Sequence, residues 1–273
     1  TMSSPQGVRQ RGGAKEKRPV TPSNNNNNAT ALAGEKMEET LNVVKEKTGG
    51  DWDYKIGFTI ITLLAFLTRF WGISHPNQVV FDEVHFGKFA SYYLQRTYFF
   101  DVHPPFGKLL FAFAGWLVGY DGSFLFENIG DSYIDNHVPY VAYRSMPALM
   151  GALTVSVTYL IMWESGYSLP ATLIAASLVL FDNAHVGQTR LILLDATLVL
   201  FMALSILCYI RFYKLRHAPF GRKWWKWLLL TGICMSCVIS TKYVGAFTFF
   251  SVGVPVLIDL WELMDICLLY TSL

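Results

Sequence analysis

Charge is what this sequence has least of. Only 15% of its 273 residues are Asp, Glu, Lys or Arg, against 52% that are hydrophobic. With the apolar residues gathered in long blocks, that balance excludes an ordinary soluble domain. A concentrated basic face is also missing, and the net charge is only +2, which argues against a nucleic-acid partner. Cysteine is scarce: Cys208, Cys234, Cys237 and Cys267 are the whole set. Cys234 and Cys237 form a C-x-x-C, but one turn apart inside an apolar helix candidate. There they read as small packing residues rather than a redox pair. The opening fifty residues contain no apolar core of a signal peptide, and no internal repeat is visible.

What the chain does have is apolar length. A hydrocarbon core about 30 Å thick needs about 20 mostly apolar residues per helix. Segments 56–73, 138–163, 168–184, 191–212, 227–240 and 244–261 are expected to span, giving an all-α polytopic membrane protein. Residues 1–54 are polar and basic, include "SNNNNNAT", and read as a disordered tail. Nine Lys or Arg residues lie between Arg9 and Lys55, so the tail is expected to be cytoplasmic and the loop 75–137 lumenal. The sequon at Asn28 would then carry no glycan. Six basic residues between Arg211 and Lys226, beside Trp224, Trp225 and Trp227, fit a cytoplasmic anchor with an interfacial aromatic belt.

Two loop segments are apolar without spanning. Residues 109–119, "LLFAFAGWLVG", are short, and as a span they would put the six-residue basic cluster on the lumenal side. The segment is expected to lie on the membrane or dip into it. Residues 84–96 alternate with helical period. Val84, Phe86, Phe89, Ala90, Tyr93 and Leu94 share one side, and His85, Lys88, Ser91, Gln95 and Arg96 the other. That helix either lies in the interface with its apolar face in lipid or packs on neighbouring spans.

On this topology the titratable residues collect at one depth. Asp82 and Glu83 follow the first span, Arg69 sits in its last turn, and Arg144 lies inside the second. Arg190 and Asp195 open the fourth, and Lys242 falls between the fifth and sixth. A charge at membrane depth costs about 2.5–3.5 kcal/mol even on insertion scales, so a cluster at one edge points to function. Cations there can hold a phosphate whose lipid tail stays in the bilayer, while a carboxylate takes a proton from a hydroxyl nucleophile. Each residue also has a plainer role. Asp82-Glu83 suit a helix N-terminus, Lys242 suits a snorkelling end, and Asp195 suits an ion pair with Arg190 or another cation. His85 and His103, with Asp82, Glu83 and Asp101, offer mixed metal ligands, but nothing in the sequence fixes their geometry, and no metal is expected. His103-Pro104-Pro105 shapes a turn.

"FDEVHFGKFASYYLQRTYFFDVHPPFGKLL", "GYDGSFLFENIGDSYI", "YVAYRSMPALMGAL", "LVLFDNAHVGQTRLILLDA" and "CVISTKYVGAF" resemble the N-terminal third of eukaryotic protein O-mannosyltransferases. The likeness runs from Lys55 to Asp265 and looks nearest to the second fungal subfamily. It implies an endoplasmic-reticulum enzyme of the C-type glycosyltransferase (GT-C) fold. Such an enzyme moves mannose from dolichyl phosphate mannose to Ser or Thr of secretory proteins with inversion and without a cofactor. The resemblance implies Asp82 as base and Glu83 as an aid to acceptor placement. It sets Arg69 and Arg144 near the active centre and Lys242 at the donor phosphate; beside that resemblance, His103 and Asp195 are expected as further substrate contacts. It also implies a heterodimer with a first-subfamily member. The lumenal MIR domain and later spans of the family are not in this sequence. Residues 266–273 are expected to be a truncated or non-native end, and the fragment to be inactive alone. A transporter or flippase, or a non-catalytic subunit, is the alternative.

Overall fold

The structure is a computed structural model that describes residues 51–216 and 219–271; the asparagine-rich tail and its sequon lie outside the described residues. Long helices dominate because the apolar blocks satisfy their backbone groups internally, as a membrane requires. They are α1 (Asp51–Phe70), α2 (Glu83–Leu94), α3 (Phe106–Leu117), α4 (Tyr140–Glu164) and α5 (Leu169–Phe181). The short α6 (Asn183–Thr189) follows, then α7 (Asp195–Tyr213), α8 (Arg222–Ile239), a 3₁₀ turn at Tyr243–Gly245 and α9 (Ala246–Thr271). Among the described residues there is no strand, only a bridge between Gln78 and Ser132.

Tyr140–Glu164, Asp195–Tyr213 and Tyr243–Trp261 are long and apolar enough to cross a membrane. Helices α5 and α6, bent by 56° at their junction, make a fourth candidate. Helix α1 carries Asp51, Asp53, Lys55 and Arg69, and α8 opens with Arg222, Lys223 and Lys226, so composition alone does not single these two out. Both nevertheless pack lengthwise in the bundle. Ala65 and Ile61 of α1 join Ala152, Val155 and Tyr159 of α4 and Ala176 and Leu180 of α5 in one core.

Contacts at the helix termini sort the bundle into two ends. Tyr54 at the start of α1 stacks on Trp163 near the end of α4 at 5.4 Å. Its hydroxyl donates to the Tyr167 carbonyl at 2.9 Å. Arg211 at the end of α7 pairs with Glu164 at that same end. At the other end meet the close of α1, the start of α4, the start of α7 and the whole segment 74–139.

That segment has a core of its own. Helix α3 is twelve residues long, about 18 Å at 1.5 Å per residue, too short to cross. It turns Phe111, Ala112 and Ala114 inward and leaves Leu109, Phe113 and Trp116 exposed. Helix α2 buries Phe86 and Ala90 in a cluster with Phe111, Phe126, Tyr133 and Ile192–Leu194. It therefore packs on protein on its apolar side. Ser91, expected among the polar residues, is buried because its hydroxyl donates to the Phe124 carbonyl at 2.7 Å. Residues 77–79 pair antiparallel with 130–133: Val79 N–H donates to Asp131 at 2.9 Å and Tyr133 N–H to Asn77 at 3.0 Å.

Candidate active site

The acidic pair opens α2, and its two members have opposite surroundings. Glu83 is fully buried. Arg144 grips it with a fork, Nε to Oε1 at 2.7 Å and Nη2 to Oε2 at 2.8 Å. The Tyr133 hydroxyl donates to Oε2 at 2.9 Å. Two backbone amides complete the shell, Val80 N–H at 3.0 Å and Ile192 N–H at 3.2 Å. Burial, and then the adjacent carboxylate, push the Tyr133 phenol well above its usual range, so it remains a donor. The arginine is equally saturated. Nη1 donates to the carbonyls of Pro76 at 2.6 Å and Ile73 at 3.4 Å, and Nη2 also reaches the Gln78 carbonyl at 3.3 Å. Tyr133 and Tyr140 lie against the guanidinium. A buried charge pair is tolerated when its remaining hydrogen-bonding sites are filled in this way.

Asp82 is half-buried, caps α2 through its backbone carbonyl and makes no side-chain capping bond. Glu83 fixes the start of α2 to α4 and to the elbow before α7.

Arg69 is likewise held by protein partners. It is fully buried, and Nη1 and Nη2 donate to the Leu180 and Val179 carbonyls at 3.0 Å each, capping the last turn of α5. It also donates to Thr68 at 2.7 Å and to His185 Nδ1 at 2.9 Å, which must accept, so the ring proton sits on Nε2. Neither Arg69 nor Arg144 has a terminal N–H free for a phosphate. Arg190 caps the close of α1, donating to the Trp71 and Gly72 carbonyls at 2.7 and 2.9 Å.

Lys242 and Asp195 pair at 2.7 Å, half-buried. Asp195 therefore meets Lys242 rather than Arg190, and the ammonium keeps further donors for a ligand. Close packing ties this pair to the acid site. A Cβ added at Gly107 would lie 2.6 Å from Leu194 and 3.3 Å from Thr241, and the Phe106 N–H donates to the Ser240 carbonyl at 3.0 Å. The His103 ring lies 6.2 Å from Phe86, one turn along α2 from Asp82. Asp82, His103, Asp195 and Lys242 thus share one end of the bundle. Lys108, which is not among the expected site residues, is buried between α2 and α3. Its ammonium donates to Asp101 at 2.7 Å and to the His103 carbonyl at 2.8 Å. Among the described residues, no three His, Cys, Asp or Glu side chains gather to share a metal ion.

Residues 59–272 match the family model described as dolichyl-phosphate-mannose-protein mannosyltransferase. The chain belongs to that family. It is 57% identical over 90% of its length to dolichyl-phosphate-mannose–protein mannosyltransferase 4 of Schizosaccharomyces pombe. It is 53% identical over 78% to mannosyltransferase 4 of Saccharomyces cerevisiae. It spans 31% and 28% of those relatives. A Danio rerio protein O-mannosyl-transferase 2 is 44% identical over 75% of this chain and 27% of its own. The expected second-subfamily likeness is thereby corrected: the fungal relatives above 50% carry the number 4. The S. cerevisiae Pmt1-Pmt2 complex bound to the sugar donor superimposes with a TM-score of 0.74 at 37% identity. The match covers 81% of this chain and 30% of that one. The fold is the N-terminal part of a GT-C membrane glycosyltransferase.

Proposed function

We propose that the whole protein transfers mannose from dolichyl phosphate mannose to Ser or Thr hydroxyls of secretory polypeptides, with Asp82 as general base. The observation that carries this is the split between the two carboxylates. Glu83 is sequestered by Arg144, Tyr133 and two amides, while Asp82 stands free beside it. A carboxylate held at a fixed helix start and open on one side can accept the hydroxyl proton. The hydroxyl oxygen then attacks the anomeric carbon from the face opposite the phosphate, and the bond to the phosphate oxygen breaks. Dolichyl phosphate leaves, and the sugar is inverted. Lys242, poised by Asp195, meets the phosphate charge. No cofactor is assigned to this step.

The localisation that follows is the endoplasmic-reticulum membrane, with the Asp82 end lumenal and the Arg211–Lys226 end cytoplasmic. The solved relative is a Pmt1-Pmt2 pair, and a pairing with another family member is proposed here as well.

Asp82→Asn in the whole protein tests the assignment. Transfer to a Ser/Thr peptide should fall by about 10²–10⁴-fold, the range for a lost general base, with assembly intact. Near-normal transfer by this variant rules out Asp82 as the base.

A further inference from the structure

Between α2 and α3, residues 97–101 carry no helix or turn, the chain bends at 102–103, and the run shows two faces. Phe99, Asp101 and His103 are half-buried against the body, while Tyr98, Phe100 and Val102 point outward, 95%, 83% and 67% exposed. This is the period-2 alternation of a strand. The inward side is pinned. Phe99 stacks on Phe89 at 5.1 Å and meets Tyr93 edge-on at 5.0 Å. Lys108 clamps Asp101 and the His103 carbonyl. Yet Tyr98 through Val102 make no backbone–backbone hydrogen bond among the described residues. The result is an irregular run, held in shape from behind, whose residues 98–102 have no main-chain partner among the described residues.

Free backbone groups choose between occupants. A bilayer interior would cover the aromatic rings but leave the N–H and C=O groups unpaired. An extended polypeptide satisfies both, adding a strand through main-chain hydrogen bonds while its side chains meet the rings. The run also leads to the site, since its last residue, His103, lies against Phe86 one turn from Asp82.

The geometry points to residues 98–102 as an edge on which an extended stretch of the acceptor polypeptide lies, backbone to backbone, with apolar side chains against Tyr98 and Phe100. This rests on the proposed transfer to Ser or Thr.

The test uses the whole protein and a synthetic Ser/Thr peptide, natural or N-methylated at alternate amides. Methylating one edge of the peptide should raise its KM about tenfold, and methylating the other should not. Replacing both rings, Tyr98→Ser with Phe100→Ser, should raise acceptor KM about tenfold. Donor KM and kcat should stay within about twofold, and Phe100→Tyr should behave as wild type. An unchanged acceptor KM, equal effects from both peptide edges, or a donor KM rising in step each overturns the proposal. So does quenching of Phe100→Trp fluorescence by lipids brominated in their chains, which would put the run in the bilayer. An inactive wild type overturns the proposed transfer alone. The edge is then decided by titrating Phe100→Trp with the peptide, where a flat signal counts against it.

Discussion

At the end of the bundle that holds Asp82, one ion pair is wholly buried in fixed geometry. At the opposite end the paired charges lie half in solvent. Glu83 and Arg144 are both fully buried, with every polar atom of the pair engaged. Glu164, by contrast, is shared between Arg211 at 2.9 Å and Lys214 at 2.6 Å, and all three side chains are 27–49% exposed. Arg211 also rides over Trp227, and Trp224 packs on Phe212. The two networks look alike as lists of ion pairs and differ in what losing a partner costs. A desolvated ion has no water to fall back on, whereas an exposed one is rehydrated at once.

The largest break in this contrast should come from Arg144→Leu. It leaves the Glu83 carboxylate buried without its cation, at a cost of about 3–5 kcal/mol. The whole protein should lose its cooperative thermal transition in detergent, or fail to assemble, before activity can be read. Tyr133→Phe is milder. It removes one hydrogen bond to a charged group, about 1.5–3 kcal/mol, and should lower the thermal midpoint while Arg144 keeps the carboxylate paired. For Lys242→Gln the expected loss is about tenfold in donor KM, with the acceptor KM unchanged, seen in steady-state assays with varied dolichyl phosphate mannose. The smallest change belongs to Glu164→Gln, under about 1 kcal/mol, with transfer at wild-type rates. A collapse as deep as that of Arg144→Leu would erase the distinction between the ends.

Much of this fold was legible from residue order. Apolar length marked the long helices, and the shortness of 109–119 kept it out of the spanning set, as α3 shows. Period 3.6 placed Phe86 and Ala90 on one side of α2. Which charges are available for chemistry was not legible. The partners that occupy Glu83 come from positions 80, 133, 144 and 192, and those of Arg69 from 68, 179, 180 and 185. Engagement of that kind, full for Glu83 and lacking only Nε for Arg69, is set by packing across the bundle, and no local pattern announces it. The Asp101–Lys108 clamp was hidden for a related reason. A lysine on an apolar helix reads as a solvent-facing residue until aromatic rings such as Phe89 and Phe99 are found facing its ammonium.

The anchor at Glu83 also sets an order in time. A ribosome makes Asp82 and Glu83 well before Arg144, and Arg144 well before the Ile192 amide that closes the shell. Until both later segments have entered the membrane, the acidic pair has nothing to hold it, and its second carboxylate must stay hydrated. Maturation of this pocket therefore waits on the segment that opens α7, and a half-made chain exposes an acid that the finished one conceals.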